Sequence, residues 1–108
     1  MIIKHRLLQT IFRKFSQFDF RAVHTGRAPF DFIVQCSEKK LKIIGGVADE
    51  KERNIDRRTE EIINVGKVIN AHSVFITDGE KIPKSNIPLI HHEALTKMHD
   101  PEEFIAQL

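Results

Sequence analysis

Tryptophan and tyrosine are absent, and eight phenylalanines supply the whole aromatic content. Rings without a hydroxyl or indole N–H carry no polar handle, so they are expected in the core rather than on a base-stacking surface. Cysteine occurs once, as Cys36, which excludes an internal disulfide and any thiolate zinc cluster. It ends the apolar alternation Phe30-Phe32-Val34-Cys36 with no adjacent base to activate it, and so reads as a small buried hydrophobe. No apolar run has the length of a membrane span and no secretory h-region opens the chain, which points to the cytoplasm. Nor does one sign of charge dominate. Seventeen Lys and Arg face 15 Asp and Glu, for a net charge of +2, so no long basic run marks a dedicated nucleic-acid-binding domain. The nearest candidates are Lys4, His5, Arg6, Arg13 and Lys14 at the start, and Arg53, Arg57 and Arg58 later.

What is present fits one domain over residues 1–108, since a chain of 108 residues buries roughly two-thirds of its unfolded surface without staples. A hydrophobic share of 41% against a charged share of 30% is that of a folded chain, not a disordered one. The opening has Ile3, Leu7, Leu8, Ile11, Phe12 and Phe15 at helical spacing, with Lys4, Arg6, Gln9, Arg13 and Lys14 on the other side. Three period-two segments follow, Phe18 to Val23, Phe30 to Cys36 and Leu41 to Val47, and their short polar connections predict an antiparallel meander. Gly45-Gly46 is expected to end or bend the third strand. Asn54 is a candidate cap for a second helix whose inner stripe is Ile55, Thr59, Ile62, Ile63, Gly66 and Ile69, stopping near Asn70. Val74-Phe75-Ile76 predicts a buried strand parallel to the third, Ile87 to Ile90 another, and Glu93–Met98 and Pro101–Leu108 helical turns, with Asp100 as cap. The expectation is an α/β fold of order α-β-β-β-α-β-β-α, a mixed sheet with helices on both faces.

That order resembles the core of the restriction-endonuclease-like superfamily, which includes Holliday-junction resolvases. The resemblance implies an acid on the second strand and an acid-x-lysine set on the third, the carboxylates holding Mg²⁺ and the lysine placing a water. Asp31, in Arg27-Ala28-Pro29-Phe30-Asp31-Phe32, matches the first position. The third strand departs: its faces carry Leu41, Ile43, Gly45 and Val47, or Lys42, Ile44 and Gly46, with no carboxylate. Over residues 29 to 108 a second pattern appears, in Pro29-Phe30-Asp31-Phe32-Ile33-Val34, Leu41-Lys42-Ile43-Ile44, Glu60-Glu61-Ile62-Ile63, Ser73-Val74-Phe75-Ile76-Thr77 and Ile87-Pro88-Leu89-Ile90. It is similar to the N-terminal domain of archaeal helix-turn-helix transcriptional regulators of the XRE/Cro class. That implies a degenerate nuclease core that precedes a DNA-contacting helix-turn-helix segment, the chain being either the N-terminal part of a longer regulator or a stand-alone relative.

The expected function is a non-catalytic regulator domain serving assembly, sensing or auxiliary DNA contact, not an enzyme, with no cofactor and no metal. Homodimerisation through an edge strand is the expected mode of assembly. Arg27, Arg53, Arg57 and Arg58 are the candidate phosphate contacts, although Glu50, Glu52, Asp56 and Glu60 interleave with them. One alternative is a Mg²⁺-dependent nuclease using Asp31 and a carboxylate migrated to the helix, Glu60 or Glu61. Another is a protein-interaction domain. His91-His92-Glu93 cannot chelate together, since neighbours on a strand or helix diverge. Gly45-Gly46 is followed by Val47-Ala48-Asp49-Glu50, which repels phosphate, and no G-x-S-x-G elbow is present.

Overall fold

Alternating apolar residues on the middle strands give the sheet two buried faces, and the computed structural model places a helical layer on each. It describes residues 2–26, 29–36, 40–49, 52–80 and 82–108, with side chains from His5 onward. Expectations placed on the side chains of Ile3 and Lys4, on Arg27 and Ala28, and on Glu50 lie outside the described residues. The elements are α1 (Ile2–Gln17), β1 (Arg21–His24), β2 (Phe32–Cys36), β3 (Leu41–Ala48), α2 (Ile55–Ile69), β4 (His72–Thr77), β5 (Leu89–His91), α3 (His92–Thr96) and α4 (Pro101–Ile105). One five-stranded sheet has the order β1-β2-β3-β4-β5. The first three strands form the expected antiparallel meander, and β3, β4 and β5 are parallel neighbours.

The central strand β3 divides the core. Ile43 and Val47 pack with Leu7, Ile11 and Phe15 of α1, Leu95 of α3 and Phe104 of α4. Ile44 and Ala48 pack instead with Ile55 and Ile62 of α2 and with Phe75 of β4. Phe15 anchors the larger cluster, its ring 5.2 Å from Phe32 and 5.4 Å from Phe104 between centroids. Such offset aromatic contacts add about 0.5–1.5 kcal/mol beyond the area they bury. Cys36 is half-buried at the margin of this cluster.

Three boundaries differ from the sequence expectation. Phe18 and Phe20 do not begin β1; they close α1. Asp19 takes a left-handed φ of 63°, Phe20 N donates to Phe15 O at 2.9 Å and Asp19 N to Ser16 O at 3.0 Å. Those bonds and the Phe15–Phe20 ring contact at 6.1 Å form a Schellman ending, which points both Phe18 and Phe20 inward. Second, Pro88 shortens the last strand, because it has no N–H for the ladder; its carbonyl alone accepts from Phe75 N at 2.9 Å. Third, Gly45-Gly46 neither ends nor bends β3, which runs through both to Ala48. A Cβ on Gly45 would lie 2.3 Å from Phe32 Cζ, and one on Gly46 would lie 2.7 Å from Ile62 Cδ1. The pair is there for close approach on opposite faces.

The caps are mixed in outcome. Asp100 caps α4 as expected, accepting from Glu103 N at 3.1 Å behind Pro101. Asn54 precedes α2 but makes no side-chain cap bond. Asp56 instead accepts from Lys84 N at 2.7 Å, tying the loop before β5 to the start of α2.

Gly45→Ala tests the close approach. Phe32 is fully buried against Phe15 and cannot swing clear, so overpacking should cost about 1–3 kcal/mol. Urea unfolding should show a lower midpoint at unchanged slope, and an unaltered midpoint would mean the ring relocates freely.

Candidate functional site

Asp31 sits where β2 begins and β3 runs on past it, paired there with β4 alone. Register pairs Phe32 with Gly45, so β2 offers no strand residue opposite Val47. The Asp31 carboxylate fills that gap, Oδ2 accepting from Val47 N at 2.7 Å, while its backbone N–H donates to Gly45 O at 2.8 Å. The carboxylate therefore closes the end of the β2–β3 ladder. Its charge needs a counterion, because a buried lone carboxylate costs several kcal/mol.

Arg58 of α2 supplies it. Nη2 donates to Asp31 Oδ2 at 2.7 Å and to Pro29 O at 3.3 Å. Nη1 donates to Val47 O at 3.0 Å and to Glu52 Oε1. The guanidinium carbon stands 5.6 Å from the centroid of the Phe75 ring, within cation–π range. It reaches the sheet because Gly46 lacks a side chain; a Cβ there would lie 3.1 Å from Nη2 and 2.9 Å from Phe75 Cε1. The side chains of Arg58 and Asp31 are only 17% and 13% exposed. Burial alone would lower the guanidinium's pKa, but the Glu52 hydrogen bond and the charge and hydrogen bond of Asp31 outweigh it and raise the pKa. Arg58 is a fixed cation held between two carboxylates and two carbonyls.

Of the acids considered for a nuclease, the structure thus gives Asp31 an arginine partner. Glu60 is exposed, and Glu61 is engaged by Arg57 Nε at 3.0 Å on the helix surface. The β3 face toward α2 presents Ile44, Gly46 and Ala48, none of them a metal ligand. These residues do not fit a Mg²⁺ site, which needs convergent carboxylate or water oxygens rather than a guanidinium among them. Among the described residues no group of three or more His, Cys, Asp and Glu side chains is placed to hold a metal ion. His91 turns its Nδ1 to Glu93 N at 3.2 Å and caps α3. Arg53 and Arg57 are exposed, and Arg27 lies outside the described residues.

Comparison with known proteins gives the context. The chain is 32% identical over 100 residues to a protein of Thermococcus gammatolerans named "Putative HTH-type transcriptional regulatory protein", covering 92% of this chain and 31% of that one. A protein of the same description from Thermococcus kodakarensis is 29% identical over 100 residues, with 92% and 31% covered. One from Pyrococcus furiosus is 19% identical over 103 residues, with 94% and 33% covered. This chain is similar to part of archaeal regulators. It spans about a third of the length of these curated relatives. No family model and no solved structure matches.

Sequence reasoning found Asp31 but not its partners. It counted Glu52 among solvated acids and Arg58 among surface cations. A signal was available: Arg58 falls three residues after Ile55 and four before Ile62, within the stripe that α2 buries. A charge at such a position requires a buried partner.

Removing one member leaves the other buried and unpaired, so Arg58→Met should destabilise the fold by about 3–5 kcal/mol. Glu52→Gln, at the more exposed side of the guanidinium, retains an acceptor and should cost about 1 kcal/mol. Chemical denaturation of both variants measures the ordering, and equal small losses would refute a structural role for the pair.

Proposed function

We propose that this chain is a non-catalytic domain of an archaeal helix-turn-helix-type transcriptional regulator, built on a restriction-endonuclease-like core in which Arg58 occupies the place of the metal. The carrying observation is the guanidinium hydrogen-bonded to Asp31 and Glu52 over Gly46. A permanent intramolecular cation does for folding what a bound ion would do for the carboxylates: it neutralises them. It cannot be exchanged for substrate, cannot carry an attacking water and cannot donate an open coordination position. The former reaction centre becomes a clamp that joins α2 to the end of the β2–β3 ladder.

Similarity to named regulators supports placing such a domain in a protein that acts on DNA. On this reading base-specific contact belongs to the part of the longer regulators that the chain does not span, and this domain contributes a rigid α/β body for assembly. A homodimer would set two reading heads at a fixed separation. The setting is the cytoplasm. Among the described residues no helix is long and apolar enough to cross a membrane.

Calorimetric titration with Mg²⁺ and Mn²⁺, alongside incubation with supercoiled plasmid and a four-way DNA junction, decides between this reading and an active nuclease. No saturable binding into the millimolar range and no strand cleavage are expected. Saturable binding or cleavage that disappears in Asp31→Asn would overturn the proposal and restore an enzyme.

A further inference from the structure

Charge is divided unevenly along the chain. The first 24 residues hold five Lys and Arg against the single acid Asp19, whereas the remaining 84 hold twelve against fourteen. Neither α1 nor β1 contains an acidic residue. The two elements flank a groove of about 590 Å³ lined by His5, Leu8, Gln9, Phe12, Arg13 and His24. Its lining has basic and polar side chains and an apolar base, Leu8 and the half-buried ring of Phe12, which meets His24 edge-on at 6.2 Å. Among the described residues no carboxylate lines it.

The cations here differ from those of α2 in what they already hold. Arg57 is paired with Glu61, and Arg58 is enclosed by Asp31 and Glu52. Lys14 leans away from the groove, its Nζ donating to Thr96 O at 3.1 Å and lying over the Phe18 ring. Arg6 and Arg13 are exposed, and no carboxylate among the described residues pairs with them; Arg21 alternates with Ala22 and His24 and so faces the other side of the sheet. Arg6 and Arg13 are seven residues apart on α1, two turns of one helix face, and so about 10 Å apart along its axis. They do not converge on a point. Cations spread along a helix suit an anion whose charge is also spread along a line, and guanidinium forks match phosphate oxygens.

We propose that the exposed face of α1 beside this groove binds the phosphodiester backbone of DNA, with Arg6 and Arg13 as the phosphate contacts. The assignment rests on the reading of the chain as part of a DNA-acting regulator, and it moves auxiliary contact away from α2. It carries no base readout. The surface holds the domain against the duplex while another segment reads sequence.

Anisotropy of a labelled 20-base-pair duplex, titrated with the full chain between 50 and 200 mM salt, tests it. Two phosphate contacts give a log–log salt slope of about −1.8, a roughly 12-fold loss of affinity across that range. Arg6→Gln/Arg13→Gln should bring the slope close to zero, and the double variant should fold normally because both positions are exposed. Arg57→Gln should bind as the parent does. No binding at 50 mM salt, an unchanged slope in the double variant, or equal weakening by Arg57→Gln overturns the proposal. So does equally tight capture of polyglutamate with the same variant sensitivity, which would assign the surface to an acidic protein. None of these outcomes touches the non-catalytic reading, which depends on the metal and cleavage measurements alone.

Discussion

A guanidinium taken out of water is tolerable only where acceptors surround it, and Asp31, Glu52 and two carbonyls meet that condition for Arg58 over the sheet. Asp31 lies there because β2 starts one residue later and β3 continues past it, leaving Val47 N–H for a side-chain acceptor. Arg58 reaches it because Gly46 exposes the sheet surface and the Phe75 ring supports the cation beside it. Strand length, a missing side chain, a helix position and two acids are thus mutually dependent. Losing Arg58 or Asp31 leaves the other charge buried without its main partner, and buried unpaired charge is among the most expensive defects a small domain can carry.

The same site explains how much of the fold was legible beforehand. Hydrophobic period identified α1, β2, β3 and α2, because each buries a face at a spacing that admits one reading, and a short continuous apolar run marked β4. It failed where period alone is ambiguous. Phe18-Asp19-Phe20 alternates like a strand, yet a left-handed Asp19 satisfies α1's last carbonyls and buries both rings. Gly45-Gly46 looks like punctuation in one dimension. In three, each glycine is opposite a large side chain, Phe32 on one face and Ile62 on the other.

The candidate site was half legible. Asp31 could be picked out because it matches the acid that the nuclease resemblance places on the second strand. Its partner came from 27 positions further along, and nothing in the local pattern of Asp56-Arg57-Arg58 distinguishes the inward arginine from the outward one. Helical geometry does: Arg58 shares the stripe of Ile55, Thr59 and Ile62, whereas Arg57 faces solvent beside Glu61. Glu52 lies in the irregular approach to α2, where periodicity carries no information.

Arginine thus has two physical uses in this chain, separated by surroundings rather than by sequence context. On α2 acids are close by, so an arginine finds an internal partner and becomes part of the fold. On α1 and β1 acids have been excluded, so exposed arginines keep their hydrogen-bonding capacity for something outside. A net charge of +2 hides that division, because the acidic remainder nearly cancels the basic start. The balance of charge that argues against a nucleic-acid-binding domain when summed over the chain becomes, once α1 and β1 are seen side by side, an argument about where such contact would have to lie.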